Sequence, residues 1–134
     1  MLKDIESRED LEKLLTEFYS VAMTDDKIGH YFTRVAELDL ETHLPIIVDF
    51  WEKVLFGKPV YFRNPMTVHH QLHEKSPFEK DHFDRWMEIF TATINYLFLG
   101  EIANKAKDKA ATIARSMFSA LVENPQQKTY SFTR

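Results

Sequence analysis

Residues 76–100 read SPFEKDHFDRWMEIFTATINYLFLG. Ser76 before Pro77, with Glu79 close behind, has the form of a helix start. A hydroxyl accepts an orphan N–H, proline sits where no N–H is needed, and a glutamate reaches back. Behind this start, Phe83, Trp86, Phe90, Ile94 and Leu97 recur at helical spacing, and Gly100 follows as a stop. The stripe is made mostly of large rings, so the surface it packs against must accommodate flat, bulky groups.

The rest of the chain keeps the helical period, and no alternating strand pattern interrupts it. Ser7 and Asp10 open a helix with Leu11, Leu14, Leu15, Phe18 and Ala22 on its inner face, running to about Thr24. Asp25-Asp26-Lys27-Ile28-Gly29 breaks it, and Tyr31-Phe32 renews apolar contact. A second helix begins between Asp39 and Thr42. Pro45 is expected in its first turn, Ile47, Phe50, Trp51 and Val54 on its inner face, and Gly57 and Pro59 at its end. Residues 58–68 read as irregular, followed by a short helical turn over Val68–Glu74. A last helix carries Ile102, Ala106, Ala110, Ile113, Ala114, Met117 and Leu121. The expectation is an all-α fold, one domain over residues 1–123, with a polar tail over 124–134.

Composition narrows the function. The net charge of −4 comes with no basic stripe, which argues against nucleic acid. Cysteine is absent, so disulfides, thiolate nucleophiles and cysteine-ligated metal sites are excluded. The first residues lack a signal-peptide pattern, and the longest uncharged run, 89–100, is too short to span a bilayer. A cytoplasmic protein without membrane association is expected. Eleven phenylalanines, five tyrosines and two tryptophans are a heavy aromatic load, suited either to a ring-filled core or to walls around a flat ligand.

Histidine is the informative residue. Three of the six fall in Val68-His69-His70-Gln71-Leu72-His73. His69 and His73 would share a helix face, but the metalloprotease pattern needs glutamate directly after the first histidine, where this chain has His70. His82 reads as a solvated first-turn residue and His30 as a surface one. His43 lies one turn before Ile47 and Trp51 and projects toward whatever they cover. Tyr19 and Trp86, taken singly, read equally well as core.

Their order along the chain resembles the truncated haemoglobins, specifically the third bacterial group. Phe18-Tyr19 is similar to that family's first-pocket aromatic pair, and Phe32 to the phenylalanine wedged against the haem. His43-Leu44-Pro45 with Asp49-Phe50-Trp51 resembles the distal-helix signature. Pro65-Met66-Thr67-Val68-His69-His70-Gln71-Leu72 resembles the proximal segment, where the ligating histidine stands three before a leucine. Pro77-Phe78 and His82-Phe83-Asp84-Arg85-Trp86 resemble the entry to the third helix with its pocket tryptophan. Other groups mark their loops with paired glycines. This chain has none, as is true of the third group.

The resemblance implies a shortened globin fold of two helix pairs packed across one another. The helix that usually carries the proximal histidine would be reduced to an irregular segment before His69. It further implies haem b (iron protoporphyrin IX) held by His69 and walled by Phe32, Ile47, Met66, Leu72, Phe83 and Phe90, with Arg63 toward the propionates. Tyr19, Trp86 and His43 would serve dioxygen, nitric oxide or another diatomic ligand as hydrogen-bond donors. Nitric oxide oxidation or peroxidase-like chemistry, with an unidentified reductase, are the activities such a site suggests. The reading from a different class is a haem-free globin-like sensor or interaction module.

Overall fold

The structure is a computed structural model that describes residues 1–125; most of the expected polar tail lies outside them. Five α-helices follow one another: α1 (Arg8–Ala22), α2 (Leu40–Phe56), α3 (Pro65–Lys75), α4 (Lys80–Leu97) and α5 (Glu101–Phe118). Single π-helical turns lie at Tyr31–Val35, after α1, and at Ser119–Glu123, continuing α5. Among the described residues there is no strand, and no helix is long and apolar enough to cross a membrane. The all-α expectation holds.

The core sits where α1, α2, α4 and α5 meet. The inner face of α1 is buried as its spacing predicts, from Leu11 through Phe18 and Tyr19 to Ala22. Small residues on α5, Ala103, Ala106 and Ala110, are also buried and let neighbouring helices approach closely. At the centre, Phe90 of α4 lies between two indoles, stacked on Trp86 at 5.0 Å and 7° and on Trp51 at 5.1 Å and 23°. Arg8 joins α1 to α2, its guanidinium 2.8 Å from Asp49 and 2.7 Å from Glu52. Arg85 ties α4 back to the post-α1 loop through Asp25 at 2.7 Å.

Several boundaries depart from the sequence reading, each for a local reason. Pro45 lies in the second turn of α2, not the first. Its ring faces solvent, as does Glu41 four residues earlier, so water can satisfy the carbonyl that Pro45 cannot serve. The irregular stretch ends at Asn64, whose side chain accepts the backbone N–H groups of Met66 and Thr67 and starts α3 with Pro65 in its first turn. Helix α3 therefore starts at Pro65 and not at Val68, and the irregular segment expected before His69 is shorter by that much. Ser76 caps the end of α3, and α4 starts at Lys80 with Glu79 as its N-cap. The chain between is held by tertiary contacts: the Tyr31 hydroxyl donates to the Pro77 carbonyl at 2.8 Å, and the Phe78 N–H donates to His73 Nδ1 at 2.9 Å.

Candidate functional site

A cavity of about 220 Å³ opens between the helices, lined almost wholly by rings and aliphatic side chains. Each element contributes for a sequence reason. The α1 period that buries Leu15 brings Phe18 and Tyr19 to the wall. The π turn, closed by an Ala36 N–H to Tyr31 carbonyl bond of 2.8 Å, carries Phe32 to within 5.6 Å of the Tyr19 ring. From α2 come His43 and Ile47, from α3 His69 and Leu72, and from α4 Phe83, Trp86 and Phe90.

The His69 ring is oriented by its own helix. Its Nδ1 lies 2.7 Å from the Pro65 carbonyl four residues back, which can only accept, so Nδ1 carries the proton and Nε2 keeps its lone pair. Burial depresses its pKa, against the opposing pull of that carbonyl, and favours the neutral ring. The imidazole retains accessible area and lines the cavity, where Nε2 has no partner among the described residues. The two rival histidines are committed elsewhere. His70 lies 3.9 Å from Glu74, and His73 Nδ1 accepts the Phe78 N–H; neither lines the cavity. Among the described residues no three histidine, aspartate or glutamate side chains gather to hold a metal by themselves.

The polar groups opposite this chemistry are few. The Tyr19 hydroxyl is buried and lies 3.1 Å from His43 Nε2; its pKa is raised by burial, so it stays a donor. Burial, and then the nearby charge of His69, lower the pKa of His43. Trp86 has no hydrogen-bond partner for its indole N–H among the described residues, yet no buried polar atom there is left unsatisfied. That N–H therefore keeps accessible surface, on a residue that lines the cavity.

Two expected cofactor contacts, Met66 as a wall and Arg63 toward the propionates, are absent from the lining. Met66 is fully buried with Met117 and Leu121 in a separate apolar cluster, and Arg63 is exposed and does not line the cavity. The sequence reading missed Phe78, which packs against Tyr31, Phe83 and His73 and faces the cavity. It also misread His82, which is half-buried, lines the cavity and accepts the Glu79 N–H at Nδ1, 2.9 Å away.

The histidine acceptors at the α3–α4 turn have a measurable consequence. Burial is the first cause lowering the pKa of both His73 and His82, so in acid the unfolded chain takes up their protons before the folded one. Their contribution to stability is complete above the unfolded histidine pKa of about 6.5 and is lost as pH falls through the depressed folded values. The thermal midpoint of the haem-free protein should fall between pH 7.5 and 5, and His82→Ala should flatten that slope. It should also cost about 1 kcal/mol at neutral pH through the lost cap. A midpoint indifferent to pH in wild type would contradict both acceptor assignments.

No family model matches the chain. The group 3 truncated hemoglobin ctb of Campylobacter jejuni is 26% identical over 111 residues, covering 81% of this chain and 85% of that protein. The crystal structure of a group III truncated hemoglobin from Campylobacter jejuni superposes with a TM-score of 0.79, covering 90% of this chain and 95% of that one. In sequence and in fold the chain is similar to these group 3 truncated hemoglobins. In this chain the ordered residues that carried the resemblance, Tyr19, His43, His69 and Trp86, converge on one cavity.

Proposed function

We propose that this protein binds haem in the cavity through His69 and uses Tyr19 and Trp86 to hold a diatomic ligand, dioxygen above all. The observation that carries the reading is the state of His69: Nδ1 committed to the Pro65 carbonyl, Nε2 without a partner among the described residues, the ring opening on an aromatic hollow. This is the neutral, oriented imidazole that haem iron takes as its proximal ligand, with the second nitrogen fixed by a backbone carbonyl. The hollow itself supports an occupant. It offers about 220 Å³ of mostly apolar, ring-lined space, the kind of site in which a flat apolar group buries its surface.

Haem, when bound, supplies the iron on which a diatomic ligand sits. The chain does the rest. Phe32, Ile47, Leu72, Phe83 and Phe90 line the cavity and would exclude water from the bound group, and His69 would hold it. The Tyr19 hydroxyl and the Trp86 N–H can donate to a ligand that gathers negative charge. Nitric oxide oxidation and peroxide reduction are reactions open to such a site, with a separate reductase and a cytoplasmic setting as parts of the same reading.

The test is optical. Protein expressed with haem supplied, or reconstituted with equimolar hemin, should show a strong Soret band. That band should sharpen and move when the reduced sample meets carbon monoxide. A colourless protein that ignores hemin defeats the proposal and leaves the haem-free module.

A further inference from the structure

We infer that Tyr19 is a positioning residue as well as a donor: its hydroxyl engages His43 Nε2 and keeps that imidazole from becoming a second protein ligand to the iron held by His69. The inference rests on the haem reading above. His43 and His69 come from different helices, α2 and α3, and open on the same cavity. A neutral imidazole on the wall of a haem pocket competes with incoming ligands for the metal. Burial favours that neutral, ligating form of His43, so a restraint on its Nε2 matters.

The restraint lies in one atom. Coordination would use the lone pair on His43 Nε2, and the Tyr19 oxygen sits 3.1 Å from that nitrogen. If Nε2 is unprotonated, the lone pair accepts the Tyr19 O–H. If Nε2 carries the proton, no lone pair is available and the N–H donates to the Tyr19 oxygen. Either tautomer blocks the metal. The Tyr19 ring has little freedom to swing away, being set edge-on against Phe18 at 5.2 Å and against Phe32 at 5.6 Å. Its hydroxyl has no other partner among the described residues. Forming the forbidden bond would move no electrons between groups; it would join Nε2 to iron and free the Tyr19 hydroxyl.

Tyr19→Phe keeps the ring and its packing and removes only the restraining oxygen. In the haem-loaded, reduced proteins, wild type should be five-coordinate and high-spin, and Tyr19→Phe six-coordinate and low-spin. Carbon monoxide should then bind Tyr19→Phe about tenfold more weakly, because most molecules must first release the internal ligand. Tyr19→Phe combined with His43→Leu should return to the five-coordinate spectrum. A loaded Tyr19→Phe that stays five-coordinate overturns the restraint alone. So does a low-spin form that survives in the double variant, or a wild type that is already bis-histidyl. Wild type that takes up no haem overturns the haem reading, and the restraint with it.

Discussion

Haem should be lost from His69→Ala on passage over a desalting column, while His70→Ala and His73→Ala keep it. All three residues are histidines within a five-residue stretch of α3, so local composition is nearly constant across the series. What differs is the direction and commitment of each ring. His69 opens on the cavity with Nε2 available, whereas His70 leans toward Glu74 at 3.9 Å and His73 accepts the Phe78 N–H at 2.9 Å. Removing a residue that merely orients a metal ligand weakens retention by roughly 10- to 100-fold. Removing the ligand itself should exceed the upper end of that range. Transfer of haem to an apo-globin acceptor, followed by absorbance, measures the difference directly. His73→Ala should be less stable because it orphans the Phe78 N–H, and this effect is read separately by urea unfolding. Retention by His69→Ala together with loss from His73→Ala would move the iron one turn along α3, to His73.

The contrast among these histidines shows what the sequence carries and what it does not. Long amphipathic stripes were legible because they depend only on helical period: Leu11 to Ala22 on α1 and Phe83 to Leu97 on α4 are helical, and their apolar residues turn inward. Punctuation was less legible. Ser76-Pro77 has the form of a start signal, but the turn it occupies is fixed from a distance by Tyr31 and His73, so α4 begins later. Asn64-Pro65 was the true start signal nearby and was read as loop. The π turn at Tyr31–Val35 left no local signature, although it decides where Phe32 points. At the site, Tyr19, His43, His69 and Trp86 were legible through their order along the chain. Met66 was not, since a methionine one turn before His69 gives no sign of which side of α3 its own side chain will bury.

Dioxygen should leave the wild-type protein slowly, and removing either donor should speed its release by roughly ten- to a hundredfold. Each hydrogen bond to a charged acceptor contributes about 1.5–3 kcal/mol, and the environment here favours the upper part of that range. The pocket holds few polar groups to compete, and the Trp86 N–H has no partner among the described residues to give up before it donates. Tyr19 differs, because its hydroxyl must be shared with or withdrawn from His43. The two donors should therefore fail differently. Trp86→Phe raises the release rate and leaves the iron five-coordinate. Tyr19→Phe raises it too, but with His43 then able to take the vacated position, so rebinding slows as release accelerates. Stopped-flow displacement of dioxygen by carbon monoxide separates the two rates. Fast release from wild type that is unchanged in both variants would mean that neither side chain reaches the ligand, whatever the fold resembles.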